Sequence, residues 1–115
     1  MSNNKLHHAI LGTDFSKAVS EIIANSEMFK TIGIEKITLV HVLNLRDRIM
    51  VEQFTIEGLE EKLKAQKEIL EEKGFGVEAE LVFGIPHIEL EKKRKEKGAG
   101  LIIVGSHGRT SSSST

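Results

Sequence analysis

The chain has no cysteine, no tryptophan and no tyrosine, and it has a single proline among 115 residues. Without cysteine, a disulfide framework, thiolate metal ligands and a cysteine nucleophile are excluded. The aromatic residues are five phenylalanines. This scarcity argues against modules that bind nucleic acids by stacking bases on exposed rings. The length corresponds to one domain, since domains commonly run to roughly 100–150 residues.

The chain also lacks an excess of charge of one sign. It has 16 lysines and arginines and 17 aspartates and glutamates, which gives a net charge of −1. Because affinity for nucleic acid depends largely on a positive surplus, we expect no nucleic-acid partner. No apolar run approaches the roughly 20 residues of a membrane helix, and residues 1–5 lack the apolar core of a signal peptide. We therefore expect no membrane partner and a cytoplasmic location.

Four short apolar segments, each ended by turn residues, have the pattern of buried strands. They lie at residues 9–11, 37–43, 77–83 and 101–104. The second and fourth are almost continuously apolar, as parallel strands covered on both faces tend to be. The third alternates at its start, which is typical of an edge strand with one wet face.

Apolar residues at helical spacing predict three helices between these strands, at residues 16–33, 56–73 and 86–97. The order β-α-β-α-β-α-β predicts a parallel sheet with helices on both faces. In the third helix the apolar pattern stops after Leu90, and residues 91–97 are all charged. Only the aliphatic stems of these side chains can cover the sheet, so this helix departs from the expected pattern.

Two loops carry the residues with the clearest functional signal, because ligands of open parallel sheets bind beyond the carboxyl ends of strands where the strand order reverses. Residues 12–16 follow the first strand, and residues 105–109 follow the fourth. If these strands are neighbours, both loops face one crevice. Gly105 and Gly108 permit a tight turn that presents N–H groups to an anion. Asp14 can accept hydrogen bonds from a base amine or from ribose hydroxyls.

His107 and Arg109 add donors or charge to the second loop. Together the two loops predict a nucleotide site, with phosphates at the glycines and an adenosine-like part near Asp14. On spacing alone an alternative stays open, in which the glycine pair forms an ordinary turn and Asp14 caps a helix. His41, inside an apolar strand, is expected to be a hydrogen-bonded core or crevice residue. His8 is expected at the surface or at a strand end.

Several other nucleotide and phosphate chemistries are excluded. The loop after the first strand does not supply Gly-x-Gly-x-x-Gly, and a Walker P-loop is absent. A phospho-accepting receiver needs an aspartate at the end of the third strand, where Phe83 and Gly84 stand. No nucleophile–base pair and no metal cluster is evident, so we assign no catalytic or metal-ligating residue. We therefore do not expect an efficient enzyme.

The chain resembles the universal stress protein family, within the adenine nucleotide alpha hydrolase-like folds. The resemblance is carried, in family order, by Ile-Leu-Gly-Thr-Asp-Phe-Ser at 10–16, Leu-Val-His-Val at 39–42, Gly-Ile-Pro at 84–86 and Leu-Ile-Ile-Val-Gly-Ser-His-Gly-Arg-Thr at 101–110. It implies a doubly wound parallel α/β sheet of strand order 3-2-1-4-5. In that order strands one and four are neighbours.

The resemblance also implies binding of ATP or a related adenine nucleotide as a regulatory or signalling ligand in a stress response. Slow ATP hydrolysis, the most enzymatic activity we expect, would need Mg²⁺ held by Asp14 or by the phosphates alone. It places Asp14 and the backbone of Val42 at the adenosine part, and Gly105 and Gly108 near the ribose and phosphates. The alternative implied by another branch of the family is a stress protein that binds no nucleotide and acts through protein–protein contacts. The predicted nucleotide-binding residues are Gly12, Thr13, Asp14, Val42, Val104, Gly105, His107, Gly108 and Arg109.

The family pattern continues beyond the matched segments. Its nucleotide motif is Gly-x2-Gly-x9-Gly-Ser/Thr, of which Gly105 and Gly108 supply the first half. Its fifth strand, the usual dimer contact, and its fourth helix have no counterpart here. We therefore expect a truncated domain at 1–110 with strand order 3-2-1-4, and a disordered or non-native Ser/Thr tail at 111–115. A homodimer is expected of the complete protein, and strand four is expected to be an exposed edge.

Overall fold

A computed structural model describes residues 7–44 and 56–105, so the Ser/Thr tail lies outside the described residues. The strands are β1 (His8–Gly12), β2 (Lys36–Leu43), β3 (Gly76–Phe83) and β4 (Leu101–Val104). All adjacent strands are parallel, and the sheet order is β3-β2-β1-β4. The predicted α/β fold and the 3-2-1-4 strand order are therefore confirmed, and β1 and β4 are neighbours.

The described helices are α1 (Lys17–Ala24), α2 (Glu27–Thr31), α3 (Ile56–Glu72) and α4 (Pro86–Lys97). The prediction of one continuous helix over 16–33 is wrong, because α1 ends at Ala24. The buried Ser26 hydroxyl donates to the Ile23 carbonyl at 2.7 Å, and the Asn25 side chain donates to the Glu21 carbonyl at 2.9 Å. These local side-chain bonds to the backbone compete with helix continuation. None of the described helices is long and apolar enough to cross a bilayer.

The sheet separates two apolar cores, because successive side chains of a strand point to opposite faces. Ala9 and Leu11 of β1 face the larger core, which α1, α2 and α3 cover. Ile10 of β1 faces the smaller core under α4. Within α4 itself only Leu90 is buried.

Ion pairs attach the charged C-terminal half of α4 to the sheet. Lys97 Nζ lies 3.0 Å from Glu78 Oε1 and 2.9 Å from Glu80 Oε2, and Lys93 also pairs with Glu80. Both glutamates are on the edge strand β3, two residues apart and hence on one face. Two of the charged residues that interrupt the apolar pattern of α4, Lys93 and Lys97, therefore have acidic partners on β3.

These ion pairs predict an acid-sensitive contribution to stability. The Lys97 ammonium lowers the pKa of the Glu78 carboxyl, and Lys93, with a smaller part from Lys97, lowers the pKa of Glu80. A carboxyl whose pKa is lower in the folded chain stabilises the fold above its unfolded pKa, and this contribution is lost as the pH falls through the folded value. We therefore expect the urea midpoint to decrease between about pH 5 and about pH 3.

The Glu80→Gln variant should show a smaller decrease in urea midpoint over that pH range than the wild-type protein. Glu61→Gln, a substitution on the exposed side of α3, serves as the control and should follow the wild-type curve. Equal pH profiles for Glu80→Gln and wild type would contradict the assigned role of this carboxylate.

His8 is the first residue of β1, so the expected strand-end position is confirmed, whereas the alternative of a surface position is wrong. Its side chain is buried, and its Nε2 lies 2.8 Å from the hydroxyl of the fully buried Thr38. Burial is the main cause that lowers the pKa of His8, and the nearby Lys36 adds to it. The sequence places His8 at the start of a strand, but only the sheet order shows that β1 is flanked on both sides.

Candidate functional site

A cleft of about 220 Å³ opens at the carboxyl ends of β1 and β4. The chain leaves β1 toward β2 on one side, whereas β4 lies on the other, so this is the point at which the strand order reverses. The walls come from both faces of the sheet, with α1 on one side and α4 on the other. Its lining consists of Gly12, Thr13, Asp14, Val19, Val40, Val42, Pro86, Leu90, Val104 and Gly105.

All the predicted binding residues within the described part of the chain line this one cleft. They are Gly12, Thr13, Asp14, Val42, Val104 and Gly105. The remaining three, His107, Gly108 and Arg109, lie outside the described residues. Sequence reasoning missed Val40 of β2 and the walls formed by Val19 of α1 and by Pro86 and Leu90 of α4. The patterns indicated only a strand position for Val40, helical core positions for Val19 and Leu90, and a helix start for Pro86. Only the packing of the elements shows that these residues reach the cleft.

The two glycines are at points of close approach. A Cβ atom on Gly105 would lie 2.8 Å from Val19 Cγ2 and 3.3 Å from the Val19 backbone nitrogen. A Cβ atom on Gly12 would lie 2.9 Å from Leu90 Cδ1. The absence of side chains at these positions therefore lets α1 and α4 pack closely against the strand ends that form the cleft.

Residues 13–16 form the turn between β1 and α1, here called the Asp14 loop. Asp14 is exposed, and its Oδ1 accepts a hydrogen bond from the Ser16 N–H at 2.9 Å. Ser16 Oγ in turn accepts from the Val19 N–H at 3.3 Å and caps α1. The helix cap is therefore Ser16, and the Asp14 carboxylate stabilises the loop locally while it lies in the cleft lining.

Thr13 is buried and is bonded to the scaffold from several directions. Its hydroxyl donates to Gln66 Oε1 at 2.8 Å and accepts from the Phe15 N–H at 3.0 Å. Its carbonyl accepts a hydrogen bond from His41 Nδ1 at 2.7 Å. The prediction that His41 is hydrogen-bonded is confirmed, although His41 is not among the described residues that line the cleft. The Thr13 side chain thus holds the loop in place.

Phe15 has a backbone conformation that is uncommon for a residue with a side chain. Its φ is 63°, in the left-handed region, which costs an L-residue roughly 1–2 kcal/mol. Its ring packs against the ring of His41, with centroids 4.4 Å apart, and Lys62 Nζ lies 5.8 Å from its centroid. The loop therefore keeps a strained shape that surrounding contacts must maintain.

The chemistry of the described cleft suits a flat, largely apolar group with a few polar atoms. Its walls are aliphatic, and Asp14 provides acceptor oxygens for an amine or a hydroxyl. Among residues 7–44 and 56–105, no group of three His, Asp or Glu side chains could hold a metal ion.

The sequence model of the universal stress protein family matches residues 9–114 of this chain. Universal stress protein MJ0577 of Methanocaldococcus jannaschii is 31% identical over an alignment 121 positions long, which covers 85% of this chain and 75% of that protein. A solved structure of MJ0577 superposes with a TM-score of 0.73 and 35% identity, over 90% of this chain and 78% of that one.

Two further structures share the fold. A universal stress protein of Archaeoglobus fulgidus gives a TM-score of 0.75 at 26% identity, over 90% of this chain and 40% of that one. A universal stress protein solved in complex with cAMP gives 0.64 at 15% identity, over 84% and 70%. The family match spans most of the chain, and it agrees with the sheet order and with the segments that the sequence singled out. The chain belongs to the universal stress protein family.

Proposed function

We propose that the chain binds ATP or a related adenine nucleotide in the cleft between β1 and β4, as a regulatory or signalling ligand in a stress response. The observation that carries the proposal is the convergence of the Asp14 loop and Gly105 on one cleft at the switch point of the sheet. Ligands of open α/β sheets bind at this position. A protein of the same fold has been solved with cAMP, so the fold can accommodate an adenine nucleotide.

In this proposal the adenine ring packs against the aliphatic wall that includes Val42 and Val104. The Asp14 carboxylate accepts hydrogen bonds from the nucleoside. The phosphates extend toward Gly105 and the predicted phosphate residues that follow it, Gly108 among them. Any Mg²⁺ enters on the phosphates, since the described cleft offers only one carboxylate to the ion.

The test is calorimetric titration of the protein with ATP, using Asp14→Ala and Asp14→Asn. Hydrogen bonds to a charged group contribute about 1.5–3 kcal/mol, so Asp14→Ala should weaken binding by roughly 10- to 100-fold. Asp14→Asn keeps an oxygen for the Ser16 N–H and loses the charge, so it separates loop folding from ligand contact. Glu57→Ala, at an exposed position of α3, is the control. The absence of heat with the wild-type protein at millimolar ATP would reject the proposal.

The proposal includes a cytoplasmic homodimer as the state of the complete protein. β4 pairs only with β1 among the described strands, and its terminal Val104 is 54% exposed. In the strand order 3-2-1-4-5 that the family resemblance implies, the complete protein has a fifth strand paired with this open edge of β4, and that fifth strand is the family's usual dimer contact. Light scattering of the complete protein should give the dimer mass, and a monomer at high concentration would contradict this part of the proposal.

A further inference from the structure

We infer that Gln66 of α3 is a positioning residue for the ligand site: its hydrogen bond to Thr13 holds the Asp14 loop in its strained, binding-competent shape. Helix α3 contributes no residue to the cleft lining. Its effect on the ligand would therefore be indirect, through the loop that carries the carboxylate. The inference rests on the proposed nucleotide site.

Gln66 is unusual for its position. It is only 9% exposed and lies between Leu63 and Leu70, the other buried residues of α3. A buried amide is unfavourable unless its polar atoms are hydrogen-bonded. Its Oε1 accepts the hydroxyl proton of Thr13, which is 53 residues earlier in the chain. A leucine or methionine would satisfy the packing pattern, so the amide is explained by the bond rather than by the core.

The bond continues into the strained part of the loop. Because the Thr13 hydroxyl donates its single proton to Gln66, its oxygen lone pairs are available to the Phe15 N–H, which donates to it at 3.0 Å. Phe15 is the residue with φ of 63°, and Asp14 lies between the two bonded residues. The chain of contacts thus runs from α3 through Thr13 to the backbone on either side of the carboxylate.

The same helix supports the loop at a second point. Lys62, one turn before Gln66, places its ammonium group 5.8 Å from the Phe15 ring centroid, within the range of a cation–π contact. Two side chains on one face of α3 therefore contact the Asp14 loop. If the loop relaxes, the apparent affinity for the ligand falls in proportion to the fraction of molecules that keep the competent shape.

The experiment compares Gln66→Met, which keeps the length of the side chain and removes the acceptor, with Gln66→Glu, which keeps an acceptor oxygen. Glu68→Met, at an exposed position of the same helix, is the matched control. Two quantities are measured: the affinity for ATP by calorimetry, and the hydrogen-exchange rate of the Phe15 amide in the ligand-free protein. Thr13→Val removes the same bond from the other side and serves if Gln66→Met does not fold.

We expect Gln66→Met to weaken ATP binding roughly three- to tenfold and to accelerate exchange of the Phe15 amide by a similar factor, as loss of one hydrogen bond implies. Gln66→Glu should restore both values, and Glu68→Met should change neither. Wild-type affinity and exchange in Gln66→Met would overturn the inference, as would a Gln66→Glu variant as weak as Gln66→Met. If the wild-type protein does not bind ATP, the proposed function fails, whereas Phe15 exchange still decides whether Gln66 holds the loop.

Discussion

The Gly105→Ala variant is expected to lose about 1–3 kcal/mol of unfolding free energy, the usual cost of overpacking. The new methyl group would lie 2.8 Å from Val19 Cγ2. Val19 is buried and β-branched, and such residues have one strongly preferred rotamer in a helix. The clash therefore has to be relieved by moving α1 away from the end of β4.

Urea denaturation measures this loss, and titration with ATP measures its effect on the site. Because Val19 and Gly105 both line the cleft, we expect the variant to bind ATP more weakly. Gly76→Ala is the matched control, since a Cβ there would meet only the Glu35 carbonyl oxygen at 3.9 Å. An unchanged urea midpoint for Gly105→Ala, or an equal loss for Gly76→Ala, would contradict the assigned packing role of Gly105.

The largest loss of stability is expected for Leu11→Ala, at about 2–5 kcal/mol. Leu11 is fully buried in β1, the strand that pairs with both β2 and β4. Removing its branched end leaves a cavity in the larger core, where the packed side chains relax only in part. The position directly precedes Gly12 at the cleft, so the loss acts on the strand that supports the site.

The measurement for Leu11→Ala is the urea midpoint at constant slope, because a constant slope shows that the change lies in stability and not in the unfolded state. Ile69→Ala removes an aliphatic side chain that is 43% exposed on α3, and its effect should be much smaller. Similar midpoints for these two variants would show that Leu11 does not belong to the cooperative core.

The strands and the longer helices were predictable because their signals are local. An apolar run such as residues 37–43 carries its own β pattern, and Pro86 and Gly98 mark the two ends of α4. The break between α1 and α2 was missed because the periodicity of apolar residues continues across it. The side-chain bonds of Asn25 and Ser26 to backbone carbonyls accompany the end of the first helix, and periodicity carries no information about such bonds.

The features that the sequence did not predict depend on partners distant along the chain. Lys93 and Lys97 of α4 pair with glutamates on β3, and His8 contacts Thr38, which is 30 residues later. Gln66 followed the helical spacing of core residues, and nothing local indicated that its amide reaches Thr13. The cleft residues at the loops and strand ends were predicted because loop chemistry and the carboxyl ends of strands are readable from sequence. The cleft walls from α1 and α4, and the hydrogen bonds that support the Asp14 loop, were not predicted.

The uneven covering of the two sheet faces has a consequence for how a ligand enters. On one side of the cleft, α1 packs against the larger core. On the other side, α4 buries only Leu90 and is otherwise attached to the sheet by ion pairs near its C-terminal end. Segments with few buried apolar contacts are the first to open in the native state. An outward motion of α4 is therefore expected to widen the cleft at less cost than a motion of α1, and a bound nucleotide should slow amide exchange in α4 more than in α1.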